Sequence, residues 1–600
     1  MMRTRFFCLA ALLLLMISLC ACQRAADTPD VDIPATEFAG TQLPQTDLVL
    51  VSGGEAKVKM IRPEDVPNDV LTEITRLYQT IGEVTGVYLE YTTDFLRGSQ
   101  SRTAEADAEP AILAGQTNYS ASLSRFDGLT YGQGAIGVSG QQLVIAVADK
   151  TTAVQAADTL CAYIRANGRA GELTIPADYA VEIAGSEMLA ELPVAADCIY
   201  TGREEAGDGA YTMTFIRMTR AEYDAYLEKM EASTLTHYAD YAIGKNAFAT
   251  YISDAYMFQL VYTEADQMLR IILDKQVYSA LPPTETPSYT KVCDASLTQL
   301  GLEYNYDATT TPYVFTESNW QIGMCYIFRL EDGSFILIDG GFNKSRNAKL
   351  LWDKLRELSS DYRPDKITIA AWFLTHAHGD HYGTFAQFMQ SYGQMVNVGY
   401  LIYNTGSAAQ YAACGESPDA MLKAAANYVP KANTIIARPG QHFSLANAEV
   451  EILFTDELLG SNEPKSGNSL CVQFRITIAG QTFMFSGDSN TDATDRVVRL
   501  YGSALASDFV QVIHHGAPGG TIAYYQCVNP SIVLWPLGEY DYYPDPSNPS
   551  KVTRSRETYN AFLYTSDKVR EIILAGHTDR TLPLPYTFPT GTVVLPTPAA

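Results

Sequence analysis

Thr375-His376-Ala377-His378-Gly379-Asp380-His381 places four metal-ligating side chains within six residues, directly after the apolar run Ile367 to Leu374. Imidazoles and a carboxylate at this spacing are the donor types of zinc and related ions. The run before them follows Pro364-Asp365 and predicts a buried strand that the polar turn ends. In a still-extended stretch His376 and His378 point to one side, so both can hold one ion. A helix starting near His381 then presents Asp380 and His381 to the same cavity from another direction, which suits a second ion. The competing reading is a set of core histidines satisfied by backbone hydrogen bonds. Ionisable groups are rarely buried together without a purpose, which disfavours it.

Three further segments end strands on polar side chains: Gly333-Ser-Phe-Ile-Leu-Ile-Asp339-Gly340-Gly341, Thr482-Phe-Met-Phe-Ser486-Gly487-Asp488, and Phe509-Val-Gln-Val-Ile513-His514-His515-Gly516. With the His-rich turn, this order resembles the HxHxDH signature and following motifs of the metallo-β-lactamase fold superfamily. The branch it resembles contains the competence-type DNA-uptake nucleases and the surface phosphorylcholine esterases. The resemblance covers about residues 310 to 600 and implies an αββα sandwich holding one or two zinc ions. It implies metal ligation by His376, His378, Asp380, His381, Asp488 and His514, with Asp488 as the bridging group. Asp339 then supports the ligand histidines from behind. Of the last pair His514 is favoured as ligand because it ends the strand, with His515 as ligand or proton donor. Asp380, His515 and His577, the last in Ile572-Ile-Leu-Ala-Gly576-His577, are the candidate catalytic or substrate-facing groups; a solvent-facing turn is the other reading of His577.

One departure affects the first ion. Many members place another His between the first cluster and the bridging Asp, and here that interval holds only His442, in a predicted hairpin. His442 reads as a surface strand residue, so His376, His378 and Asp488 are left with water to complete the first shell. Catalytic zinc tolerates an open position, and carboxylate and water ligands also admit manganese. Asn468-Ser469 resembles a polar turn of the nuclease-like branch or is simple turn chemistry. The loop Tyr540-Asp-Tyr542-Tyr543-Pro544 is a candidate pocket rim.

The start of the chain bears on where this chemistry happens. Arg3 and Arg5 precede the apolar run Phe6 to Leu19, which is shorter than the about 20 residues of a membrane span and reads as a signal peptide. Leu19-Cys20-Ala21-Cys22 resembles a bacterial lipobox, which implies lipidation at Cys22 and an extracytoplasmic, membrane-anchored protein. Residues 23–46, rich in Ala, Thr, Pro, Asp and Gln, predict a flexible tether. The 42 basic and 68 acidic residues, a net charge of −26, argue against general nucleic-acid binding. Ten cysteines without any CxxC indicate neither a disulfide scaffold nor a Cys-zinc site.

Six hundred residues suggest two to four domains. An α/β accessory domain is expected over 47–193, with helices at 66–84 and 151–167. It resembles small domains that precede some bacterial surface hydrolases. A small α+β domain is expected over 195–290, with a strand at 211–217, a helix at 219–232, and strands around Ala242, Tyr256 and Ile271. The hydrolase domain then spans 300–600. Metal-assisted hydrolysis is the expected activity, with an activated water attacking phosphorus or a carbonyl carbon of a small or envelope-derived phosphodiester or ester. The alternatives are a non-catalytic surface lipoprotein that keeps the fold for binding and a β-lactamase or lactonase-type hydrolase.

Overall fold

Strand Ile367–Leu374 shows how the C-terminal region is built. It lies parallel to Phe335–Asp339 on one side and Val396–Tyr403 on the other. Such a strand is covered on both faces, so it reads as an unbroken apolar run with the bounds expected from the sequence. The computed structural model describes residues 46–97, 101–195, 198–206, 209–274, 281–302, 323–459, 464–538, 542, 557–575, 580–588 and 590.

Two seven-stranded sheets form the centre of this region. The first runs in spatial order Thr434–Ile436, Val396–Tyr403, Ile367–Leu374, Phe335–Asp339, Cys325–Arg329, Ser296–Gln299 and Arg580–Pro583. The second runs His442–Leu445, Ala448–Phe454, Gln473–Ile478, Gln481–Phe485, Phe509–Gln511, Ile532–Trp535 and Glu571–Leu574. Side chains alternate across a strand. Ile336, Ile338 and Phe373 therefore face Ile452, Phe474 and Phe485 between the sheets. Phe373 stacks on Phe474 with ring centroids 4.5 Å apart. Leu337, Ile369 and Trp372 point the other way, into helices Ser345–Leu358, Gly379–Tyr392 and Asp419–Tyr428. On the far side Met484, Val510 and Val533 are covered by helices Thr491–Tyr501 and Ile522–Val528. The result is an αββα sandwich.

Two sheet-bearing layers precede it. In the first, Glu90–Thr93, Lys59–Arg62, Ala111–Ala114 and Gln142–Ala146 are parallel, while Gln133–Ser139 and Ala180–Ala184 extend the sheet antiparallel. Helices Asn68–Thr85 and Lys150–Asn167 bury one face of it. In the second, six antiparallel strands carry helix Arg220–Glu231 on one face through Tyr223, Tyr226 and Met230. The opposite face sends Phe248, Val261 and Ile272 into the core beneath helix Thr491–Tyr501. Segment Asp47–Ala600 clusters as one compact unit.

The second layer departs from the expectation of three strands after its helix. Four are present, Thr236–Ile243, Asn246–Ile252, Met257–Thr263 and Met268–Asp274, and Tyr256 falls in the turn before the third. Asn246–Ile252 sits between two neighbours and is buried on both faces almost throughout, so no polar alternation marks it. Among the described residues Cys161 and Cys471 are free and buried, and Cys293, Cys414 and Cys527 free and half-buried.

Candidate metal centre

The site forms where the ends of the two sheets meet, and Asp339 organises it. Strand Phe335–Asp339 ends with Asp339 at a left-handed φ of 53°, and its carboxylate turns toward the next strand end. There Oδ1 accepts the Thr375 backbone N–H at 2.7 Å, and Oδ2 accepts the Thr375 hydroxyl and the His381 Nδ1–H, each at 2.7 Å. Fixing Nδ1–H in this way leaves His381 Nε2 as the free ring nitrogen, which is how a supporting carboxylate prepares a ligand histidine.

Four side chains converge opposite it. Asp380 and His381 come from the first turn of helix Gly379–Tyr392, Asp488 from the turn after strand Gln481–Phe485, and His515 from the turn after strand Phe509–Gln511. One ligand atom from each lies within 4.8 Å of all the others. Asp488 Oδ2 is 3.1 Å from His381 Nε2 and 3.4 Å from His515 Nε2, and Asp380 Oδ2 is 3.6 Å from His515 Nε2. Gly487 makes the turn possible. Its φ is +54°, and a Cβ there would lie 2.8 Å from the Thr375 hydroxyl.

The quartet has the chemistry of a cation site. Burial opposes ionisation of Asp488, but His381 and His515 hold it well below the usual carboxylate range. Asp380 is lowered for similar reasons, with burial opposed first by His381. Burial also opposes charge on the imidazoles, yet Asp488, Asp339 and Asp380 raise His381 well above its ordinary value. Asp488 and Asp380 likewise lift His515 to about 9. His376, by contrast, is pushed well below its ordinary value by burial, with His381 and His378 adding to the effect. The buried Asp488 and the half-buried Asp380 thus call for positive charge at this point, which a divalent ion would supply. The hydrogen-bond pattern agrees. His376 Nε2, His381 Nε2, His515 Nε2 and Asp488 Oδ1 are buried without a hydrogen-bond partner. Each such orphan costs about 1–3 kcal/mol, and ligation of an ion satisfies it.

Residues 318–406 match the family model of the Metallo-beta-lactamase superfamily. The matched stretch includes His376, His378, Asp380 and His381 and stops before Asp488 and His515. Among solved structures the chain is similar to CmlA, a diiron β-hydroxylase from Streptomyces venezuelae, at 15% identity and TM-score 0.28, covering 44% of this chain and 53% of that one. It is also similar to the short form of human tRNase Z at 13% identity and TM-score 0.24, covering 40% of this chain and 90% of that one. The chain thus spans about half the length of CmlA. No curated protein matches it.

The superfamily stretch delivers His376 and His378 beside the quartet. Their ring centroids are 4.5 Å apart, and His376 lies 4.2 Å from the His381 ring. Beyond the stretch, the structure exchanges the expected places of His514 and His515. His515 joins the quartet, while His514 stands at its edge, with Nε2 3.8 Å from Asp488 Oδ2 and receiving the Asn468 amide at 3.4 Å. Two consecutive left-handed residues, with φ of 52° and 53°, cause this by swinging the second ring inward. Such conformations are strained for non-glycine residues. Here Nδ1–H bonds hold both rings, from His514 to the Pro518 carbonyl at 2.7 Å and from His515 to that of Pro536 at 2.8 Å.

His442 lies apart from the site. It is only partly exposed, because its ring stacks on Tyr241 of the second layer with centroids 4.3 Å apart. His577 lies outside the described residues, as do Cys22, the segment around it and most of the loop from Tyr540 to Pro544. Tyr542 of that loop is buried against Trp535 rather than forming a rim. Sequence reasoning missed Glu416, whose Oε2 lies 2.7 Å from His378 Nε2.

Proposed function

We propose that the C-terminal domain is a metal-dependent hydrolase of phosphodiesters or related esters, with one or two divalent ions held by His376, His378, Asp380, His381, Asp488 and His515. The observation that carries this reading is the convergent quartet, three of its members buried, with its orphaned ring nitrogens. Zinc suits the imidazoles, and the carboxylates admit manganese or iron as well. Bound there, such ions supply Lewis acidity and a water whose pKa falls to about 7. The protein's own groups do the positioning. Asp380, ionised and partly exposed, accepts a hydrogen bond from the attacking water and aims it. Asp339 keeps the His381 ring oriented throughout. His514, with its Nδ1–H fixed and its ring part-exposed at the edge of the quartet, presents Nε2 there as a hydrogen-bond acceptor for substrate or water.

Phosphodiesters are favoured because two ions held by these residues would supply positive charge to both oxygens of an in-line displacement. The order of Gly487-Asp488 and His514-His515-Gly516, which resembles the phosphodiesterase branches, points the same way. The charge of −26 favours small or zwitterionic substrates over duplex DNA. With the metal-loaded full chain, bis-p-nitrophenyl phosphate is expected to turn over at least about tenfold faster than a chromogenic cephalosporin, a barrier difference of about 1.4 kcal/mol. Efficient cephalosporin opening with every phosphodiester untouched would make the protein a β-lactamase-type hydrolase instead. Inactivity on both, with metal bound, would favour the non-catalytic lipoprotein.

We place the mature protein outside the cytoplasm, held to a bacterial membrane through lipidated Cys22. The basis is the lipobox-like end of the apolar run. Among the described residues no helix is long and apolar enough to cross a membrane. Cys22→Ala is expected to move the protein from the membrane fraction to the soluble or secreted one. Unchanged membrane retention and lipid labelling would sink the assignment.

A further inference from the structure

We infer that Glu416 is the missing ligand of the first metal ion, taking the place that the sequence leaves to water. The inference rests on the metal-dependent reading above and extends it to a residue that no motif marks.

Glu416 is held where a ligand must be. Helix Ala408–Cys414 opens on a reciprocal cap, in which Ser407 Oγ accepts the Gln410 N–H and Gln410 Oε1 accepts the Ser407 N–H. It closes on Gly415, left-handed at φ 71°, and the Glu416 N–H returns to the Tyr411 carbonyl at 3.0 Å. The Glu416 backbone is therefore fixed at the helix end. Its side chain spans to the His-rich turn, with Oε2 2.7 Å from His378 Nε2. Oε1 accepts the Gly467 N–H at 3.1 Å.

Three observations make this a ligand geometry rather than an incidental ion pair. His378 Nε2 is the atom a ligand histidine presents, and it faces a carboxylate oxygen. Beside it His376 Nε2 is fully buried and without a hydrogen-bond partner. Gly467 supplies the space, because a Cβ there would lie 3.1 Å from His378 Nε2 and overlap the Glu416 carboxylate. Only glycine leaves room for Glu416 and His378 to approach each other. With Glu416 included, the candidate donors are imidazoles together with three carboxylates, Asp380, Glu416 and Asp488. That many oxygen donors shifts preference from zinc toward iron or manganese.

The test measures metal content and ligand-field spectra of the full chain, wild type beside Glu416→Gln and Glu416→Ala, after loading with iron, manganese or cobalt(II). Wild type is expected to hold about two ions per chain and both variants about one. The cobalt absorption should change to that of a single remaining site, with Asp380, His381, Asp488 and His515 still ligating. Adding His378→Ala to Glu416→Gln should remove no further ion, since both act on one site. Melting in EDTA shows whether each variant folds, and the near-isosteric Gln variant keeps the comparison valid if the Ala variant does not. Equal metal content and an unchanged cobalt spectrum in both variants would overturn the inference and leave Glu416 as an anchor for Gly467. A wild-type chain that takes up no ion would sink the hydrolase reading as well, so the two failures are told apart.

Discussion

Asp488→Ala is expected to strip metal from the protein and abolish hydrolysis together. Asp488 is the carboxylate that His381, His515 and His514 all approach, at 3.1, 3.4 and 3.8 Å. Its second oxygen is buried without a hydrogen-bond partner and would be available to a cation held there. Substitution of residues that merely support a metal ligand costs roughly 10–100-fold. Loss of a shared ligand should cost more than that in turnover of bis-p-nitrophenyl phosphate, with metal content falling below one ion per chain. Asp495→Ala, at an exposed position of helix Thr491–Tyr501, is the control and should leave both unchanged. Full metal content and activity within about tenfold of wild type in Asp488→Ala would remove this carboxylate from the site.

Arg438→Met is expected to destabilise the fold severely without touching the metal centre. Arg438 is fully buried. Its Nη2 reaches Asp274 Oδ2 at 3.1 Å, at the end of a second-layer strand, and its Nη1 pairs with Glu457 of the sandwich. Arg438 thus ties the two layers together through buried side chains. Removing one partner of a buried ion pair costs about 3–5 kcal/mol, because the remaining charges stay desolvated. The loss should appear as a lower denaturant midpoint followed by fluorescence. Adding Asp274→Asn and Glu457→Gln should recover much of it, since the carboxylates no longer need a cation. A single variant within about 1 kcal/mol of wild type would show that other groups neutralise these acids.

What could be read from the sequence about the site depended on how local the signal was. His376, His378, Asp380 and His381 share one strand end and one helix start, so the pleat and the first helical turn alone bring them to a common cavity. Asp339 and Asp488 were legible because each follows an apolar strand and a turn glycine stands beside it. Choosing between His514 and His515 was not possible locally, since the choice turns on two left-handed residues that tertiary hydrogen bonds to Pro518 and Pro536 stabilise. Glu416 gave almost no sign. It stands 38 residues from His378 and 51 from Gly467, and only the closing of the fold joins the three. In retrospect the one hint was a glutamate just after a helix-ending glycine, and that is common at any helix end.

The sequence by itself determined the sandwich and the first cluster of candidate ligands, because runs of apolar residues and short spacings are enforced by the backbone's own geometry. Only the tertiary structure decided which histidine completes the quartet, which carboxylate stands beside His378, and how Arg438 ties the second layer to the sandwich. Those choices depend on desolvation and on contacts between segments far apart in the chain, and both exist only once the sheets have closed on each other.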